Sequence, residues 1–210
     1  MKHKLGMLGL TATLVAMSPL AAHVSWAQAH RVSLSPADDG WISRVQGALG
    51  ATHIVKARFQ QIAPDGRRTT GTAYLSRPGR MRFEYDKPSP LLLIANDGKI
   101  VYQDRDIGQV TSLPLERTPL GLLLRADLRL SGDVTVTGFE HRDGQVFVTL
   151  VRTATPSEGS LTLIFNEQPL VLRAWVVRDA QGQDTQVDLF NQETPATVPD
   201  SLFALPRDDD

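Results

Sequence analysis

No cysteine occurs among the 210 residues. Disulfides, thiolate metal sites and an acylated N-terminal cysteine are thereby excluded. A charge imbalance is lacking too: 22 Lys and Arg meet 23 Asp and Glu, and the formal net charge is −1. Nucleic-acid binding needs a clustered basic surface, so nucleic acid is not an expected partner. Long apolar runs are scarce, and none beyond the N-terminal segment could span a bilayer. Catalytic motifs are missing as well: there is no HExxH, no G-x-S-x-G, no P-loop and no GxGxxG. His30, His53 and His141 stand isolated and read as surface histidines. Asp104-Arg105-Asp106 starts like a cation loop, but the calcium-binding pattern does not continue. Asp208-Asp209-Asp210 reads as a solvated tail. No catalytic residue, metal ligand or cofactor is therefore expected, although a triad assembled only in space needs no motif.

What is present begins with Met1-Lys2-His3-Lys4, a short positive start, and the mostly apolar run from Leu5 to Met17. Ala27-Gln28-Ala29 then offers the small-x-small pattern of a signal-peptidase site. The spacing predicts a secretory signal peptide over residues 1–29, cleaved after Ala29, with Ala21-Ala22 as an earlier alternative. An uncleaved anchor competes with it, but the run falls short of the ~20 apolar residues a membrane helix needs. Residues 30–210 then form one domain with a real core, placed in an extracytoplasmic space, most simply a bacterial periplasm.

Ser35-Pro36 opens a helix, with Ser as cap, Pro at the first position and Asp38 and Asp39 suited to the dipole. Trp41, Ile42, Val45 and Leu49 recur at helical spacing, and Gly50 is the expected stop. From Ile54 the pattern turns to strands separated by short turns such as Pro64-Asp65-Gly66, Asn96-Asp97-Gly98 and Arg142-Asp143-Gly144. Short turns make consecutive strands antiparallel neighbours. The series is interrupted once, at Thr118-Pro119-Leu120-Gly121-Leu122-Leu123-Leu124, a short helix apolar nearly all round. Such a helix lies against something apolar, either as core or as a lid over a hollow. About ten strands with two helical segments predict a large curved antiparallel sheet or barrel.

The central stretch is Arg77-Pro78-Gly79-Arg80-Met81-Arg82-Phe83-Glu84-Tyr85, a turn followed by a strand. Met81, Phe83 and Tyr85 alternate with Arg80, Arg82 and Glu84, so one face is apolar and one is wet. Glu84 is expected to pair with an Arg across the sheet. Other strands, such as Val146-Phe147-Val148, are apolar on both faces. A strand of that kind is covered on both sides, or turns one side toward an apolar ligand.

Taken in order, these residues resemble the periplasmic outer-membrane lipoprotein carrier proteins, the LolA family. Arg77 to Tyr85 followed by Pro88 is similar to the family's Arg-Pro-Gly-x-x-Arg-x-x-Tyr-x-x-Pro signature. Phe59-Gln60-Gln61, Asp97-Gly98-Lys99, the run Asp104 to Thr111, Thr118-Pro119, the run Asp179 to Gln183, and Phe203 with Pro206 match in order, over roughly Pro36 to Asp208. The resemblance implies a mainly β fold, an unclosed antiparallel half-barrel with a helical lid over a hydrophobic cavity. It implies a monomeric chaperone that takes acylated lipoproteins from an inner-membrane ABC-type exporter to an outer-membrane receptor. The family's lid-latching arginine, which bonds lid backbone, falls on Arg77. With that fold in view, the acyl-chain cavity is expected to be lined by Met81, Phe83, Leu91, Leu93, Leu120, Leu122, Leu123, Phe147 and Trp175, with ordinary core as the competing reading. Val101-Tyr102 departs from the family's aromatic pair, and the leucine-rich lid stands where some members carry Phe or Met. A carrier or sensor of other lipids or glycolipids is the alternative. A lipid hydrolase, with His53 or His141 as base, is the reading from another class.

Overall fold

The computed structural model describes residues 29–126 and 128–206. All but the last residue of the expected signal segment therefore lies outside the described residues. α1 (Pro36–Ala51) starts as its sequence predicts. The Asp38 amide donates to Ser35 Oγ at 3.2 Å, and the Ser35 amide donates to Asp38 Oδ2 at 3.0 Å. This reciprocal pair is a capping box. Gly50 does not end the helix: α1 runs on to Ala51, with Thr52 as its cap.

Eleven strands follow: β1 (Ile54–Ile62), β2 (Arg68–Ser76), β3 (Arg80–Tyr85), β4 (Leu91–Asn96), β5 (Lys99–Asp104), β6 (Gln109–Pro114), β7 (Val134–Arg142), β8 (Gln145–Arg152), β9 (Ser160–Asn166), β10 (Val171–Arg178) and β11 (Asp184–Glu193). They form one antiparallel sheet in the order β6-β5-β4-β3-β2-β1-β11-β10-β9-β8-β7. β1 pairs with both β2 and β11, for example Phe59 with Gly71 on one side and with Leu189 on the other. It thus joins a β1–β6 meander to a β7–β11 meander. The edges β6 and β7 do not pair, so the barrel stays open. They are consecutive in sequence, and the segment between them crosses the open seam. That segment carries a 3-10 turn, Leu115–Arg117, and α2 (Leu120–Leu123).

One buried cluster contains Met81 and Ala95 from one meander, Val134 and Trp175 from the other, Val45 of α1 and Leu122 of α2. The sheet therefore wraps around a single core and lays both helices against its inner face. Part of the outer face is covered too. Leu92, Ile94 and Val101 are buried there, as is Phe203 of the C-terminal 3-10 turn Asp200–Phe203. Asn96 Nδ2 donates to the Phe203 carbonyl at 3.0 Å, and the Arg80 guanidinium lies 5.0 Å from the Phe203 ring centroid. Glu84 pairs with Arg82 on its own strand, at 3.1 Å, rather than across the sheet. The exposed face of β3 places these two residues side by side.

Candidate functional site

The inner face of β3 builds an aromatic floor. Phe83 lies 4.5 Å from Phe59 and 6.0 Å from Trp175, ring centroid to centroid. Tyr85 meets Phe59 edge-on at 5.2 Å. The Tyr85 hydroxyl is satisfied by Gln61 Oε1 at 2.8 Å, and burial pushes its pKa well above the ordinary phenol value. Over this floor is a cavity of about 220 Å³, walled by Met81, Leu93, Ile100, Val177 and Val187 and roofed by Thr118 and Leu120. Its surface is almost wholly apolar. It offers volume and contact, with no array of directional groups for chemistry.

A second cavity, of about 470 Å³, lies under the C-terminal end of α1. Leu49, Val55, Leu75, Phe165, Leu172 and Leu189 give it an apolar interior, while Arg77, Arg173, Asn166 and Gln192 give it polar positions. The Arg77 guanidinium donates to the carbonyls of Leu49 and Thr52. These are among the carbonyls that the last turn of a helix leaves unpaired. Burial pushes the Arg77 guanidinium down from its ordinary value, but the group stays charged. Arg77 therefore explains how α1 ends without a left-handed glycine: a guanidinium from the β2–β3 turn takes the place of a backbone cap.

α2 stands between the two cavities. Leu120 lines the smaller and Leu123 the larger. Leu122 and Leu123 are buried. Pro119 ahead of α2 offers no side-chain cap, but Thr118 Oγ1 accepts from the Gly121 amide at 3.3 Å, as a cap would, and further attachments come from elsewhere. The Gly79 amide, in the Pro78-Gly79 turn at φ +74°, donates to the Leu124 carbonyl at 2.8 Å. The Leu130 amide beyond α2 donates to Gln46 Oε1 of α1 at 3.1 Å. Gly121 sits where a side chain cannot: a Cβ there would fall 2.3 Å from the Leu115 carbonyl oxygen.

Of the nine residues named for the cavity from sequence, Met81, Phe83, Leu93, Leu120 and Trp175 meet around the smaller one. Leu123 faces the larger one, beside Arg77. Leu122 is packed in the core, and Leu91 is half-buried against it. Phe147 is not brought to either cavity. Val146, Val148 and Leu150 take the inner face of β8, so alternation turns Phe147 outward, where Arg142 lies 4.6 Å from its ring centroid. Sequence reasoning missed Gln61, Ile100, Val187 and nearly all of the larger cavity. His141 is not isolated in space: its ring lies 4.5 Å from Trp41, and its Nε2 lies 3.2 Å from Glu167. Among the described residues, no group of His, Asp and Glu is arranged to hold a metal ion.

Residues 51–206 match the family model described as "Outer membrane lipoprotein carrier protein LolA". The match begins at the end of α1, whereas the resemblance read from sequence starts at Pro36. A protein of Leptothrix cholodnii is 32% identical over 70% of this chain and 73% of its own length. One of Methylococcus capsulatus is 29% identical over 77% of this chain and 81% of its own. One of Dechloromonas aromatica is 29% identical over 92% and 89%. Each of the three is named outer-membrane lipoprotein carrier protein.

Proposed function

Because this chain belongs to the LolA family of outer membrane lipoprotein carrier proteins, we propose that it shelters the acyl chains of lipoproteins between its sheet and its two helices. It takes them from an inner-membrane ABC-type exporter, crosses the periplasm as a monomer, and yields them to an outer-membrane receptor. Export through a signal segment over residues 1–29 belongs to the same proposal. The observation that carries it is the pair of largely apolar cavities on the inner face, of about 470 and 220 Å³, parted by a short helix.

The physics suits carriage. Each methylene moved from water into an apolar site gains ~0.8 kcal/mol. Such contacts are non-directional, so they hold a chain firmly and still release it to a better site. Pockets for drug-sized ligands measure ~300–1,000 Å³. Three long chains need more room than either cavity offers alone, so loading requires α2 to lift and join the two. Arg77 is the latch at the α1 end. Its bonds to Leu49 and Thr52 hold the helix down, and an entering chain displaces them. No residue is given a catalytic role.

The test is incubation of the mature protein with lipoprotein-loaded spheroplasts, followed by native mass spectrometry of the medium. A one-to-one complex with a triacylated lipoprotein is the expected result. A bound phospholipid or glycolipid with no lipoprotein released would transfer the reading to another lipid cargo.

A further inference from the structure

Arg77 secures α1, but a different arginine reaches the segment that carries α2. Arg152 is the last residue of β8, the strand next to the β7 edge, and pairs there with Val134. Its Nη2 donates to the Thr118 carbonyl at 3.2 Å, just ahead of Pro119 and α2. The same nitrogen lies 3.0 Å from the place a Cβ on Gly121 would occupy, so the guanidinium lies against the helix itself.

Arg152 is only partly satisfied. Its Nε is buried and has no hydrogen-bond partner. A buried donor left unpaired is costly, more so when it is charged. The nearest carboxylate is Glu158 Oε2, 4.0 Å from that Nε. Thr155 Oγ1 donates to this oxygen at 2.7 Å and holds it on the 3-10 turn Pro156–Glu158. The loop also touches the lid segment: a Cβ on Gly159 would fall 3.1 Å from Pro119 Cγ. The other nearby cation, Arg125, is engaged by Asp133 at 2.8 Å. Burial lowers the Arg152 pKa, while Glu158 and Glu116 act to raise it and Arg125 to lower it.

These distances describe a group between two partners. When α2 is down, Arg152 bonds the Thr118 carbonyl, and its Nε goes without. When α2 lifts, that carbonyl departs. A movement of about 1 Å would then bring Nε and the Glu158 carboxylate to charge-assisted hydrogen-bond distance.

We propose that Arg152 and Glu158 form a second latch, which exchanges the Thr118 carbonyl for the Glu158 carboxylate as α2 rises. The loop from Arg152 to Gly159 thereby sets the opening equilibrium of α2 separately from Arg77. Arg152 stabilises the closed state and Glu158 the open one. The proposal rests on the reading of α2 as a lid, and not on the identity of the cargo.

Hydrogen exchange of the full mature protein, without cargo, separates the two. A protein that carries no lipoprotein still answers the question about its lid. Arg152→Leu should speed exchange in peptides covering residues 118–125 by about tenfold, the scale of one charge-assisted hydrogen bond. Peptides covering α1 should be unchanged, and Arg77→Leu should show the reverse pattern. Arg152→Lys should fall between wild type and Arg152→Leu, which guards against a variant that merely misfolds. Glu158→Gln should slow exchange at residues 118–125 by about twofold or more, because the competing charge is gone. A structural brace makes the opposite forecast, since losing Glu158 would loosen Arg152 and speed exchange. Equal or faster exchange in Glu158→Gln overturns the exchange of partners, and unchanged exchange in Arg152→Leu overturns the latch.

Discussion

α1 has 16 residues, its own capping box, and an outer surface that meets solvent. α2 has four residues, a single 3.3 Å bond from the Gly121 amide to Thr118 Oγ1 as its cap, and leucines buried on the sheet. The first carries the local signals of a helix, packs Val45 and Leu49 into the core, and has its last carbonyls taken by Arg77. The second is far too short to persist alone, since isolated helices below ~12 residues are marginal even in favourable sequences. Beyond the local bonds to Thr118, its shape is imposed by Gly79, Arg152 and the core beneath it. A helix held mainly from outside is released when those holds are released. That difference makes α2 the part that lifts and α1 the steadier helix, loosened only where Arg77 is displaced.

The sharpest way to break the comparison is to add one methyl group to each helix. Gly121→Ala in α2 drives a Cβ to 2.3 Å from the Leu115 carbonyl oxygen. We expect it to cost ~3 kcal/mol by denaturant titration, the upper range of overpacking. Gly47→Ala in α1 meets nothing within 4 Å. It should stabilise by ~0.5–1 kcal/mol, because it removes glycine's entropy cost from a helix interior. Equal effects at the two sites would contradict the contrast.

Arg77→Leu comes next. Loss of the charge-assisted bonds to Leu49 and Thr52 should weaken the end of α1 by ~2 kcal/mol. Hydrogen exchange would show it in the last turn of α1, and lipoprotein transfer should be impaired. Unchanged transfer would remove Arg77 as a latch. Ser35→Ala is smaller: losing the capping box should cost ~1 kcal/mol. Thermal unfolding would read that cost, with exchange at α2 unaltered.

The smallest effect lies on the outer face, where Arg58 pairs bidentately with Asp86 and Thr70 Oγ1 donates to it at 2.7 Å. These contacts, the Arg58 hydrogen bond first, hold the Asp86 pKa below the usual carboxylate value. A depressed pKa stabilises the fold above the unfolded value, near ~3.9, and the gain disappears as pH falls through the native one. Asp86→Asn should therefore make the fold slightly less sensitive to acid below about pH 4, with no change at either helix.

The strand series was legible because alternation and turn residues agreed: it begins at Ile54, and the turns read at Asp65-Gly66, Asp97-Gly98 and Asp143-Gly144 part β1 from β2, β4 from β5 and β7 from β8. The cap of α1 and the greasy α2 segment were legible for the same local reason. Phe147 was not, because β8 is apolar on both faces and alternation alone cannot say which face is inner. Val187 entered the smaller cavity through the pairing of β1 with β11, the first and last strands, which no local pattern announces. The larger cavity was hidden because its walls come from α1, α2, β1, β2, β9, β10 and β11 at once.

Cross-linking from inside the sheet tests the central claim most directly. Photoreactive p-benzoylphenylalanine would replace Leu93, on the smaller cavity, or Phe147, on the outer face of β8. Each protein would be loaded with lipoprotein from spheroplasts and irradiated. Cargo held inside the sheet should give cross-links from position 93 to its acylated N-terminus, and none from position 147. Cross-links from position 147 with none from position 93 would place the cargo outside the sheet and contradict the claim.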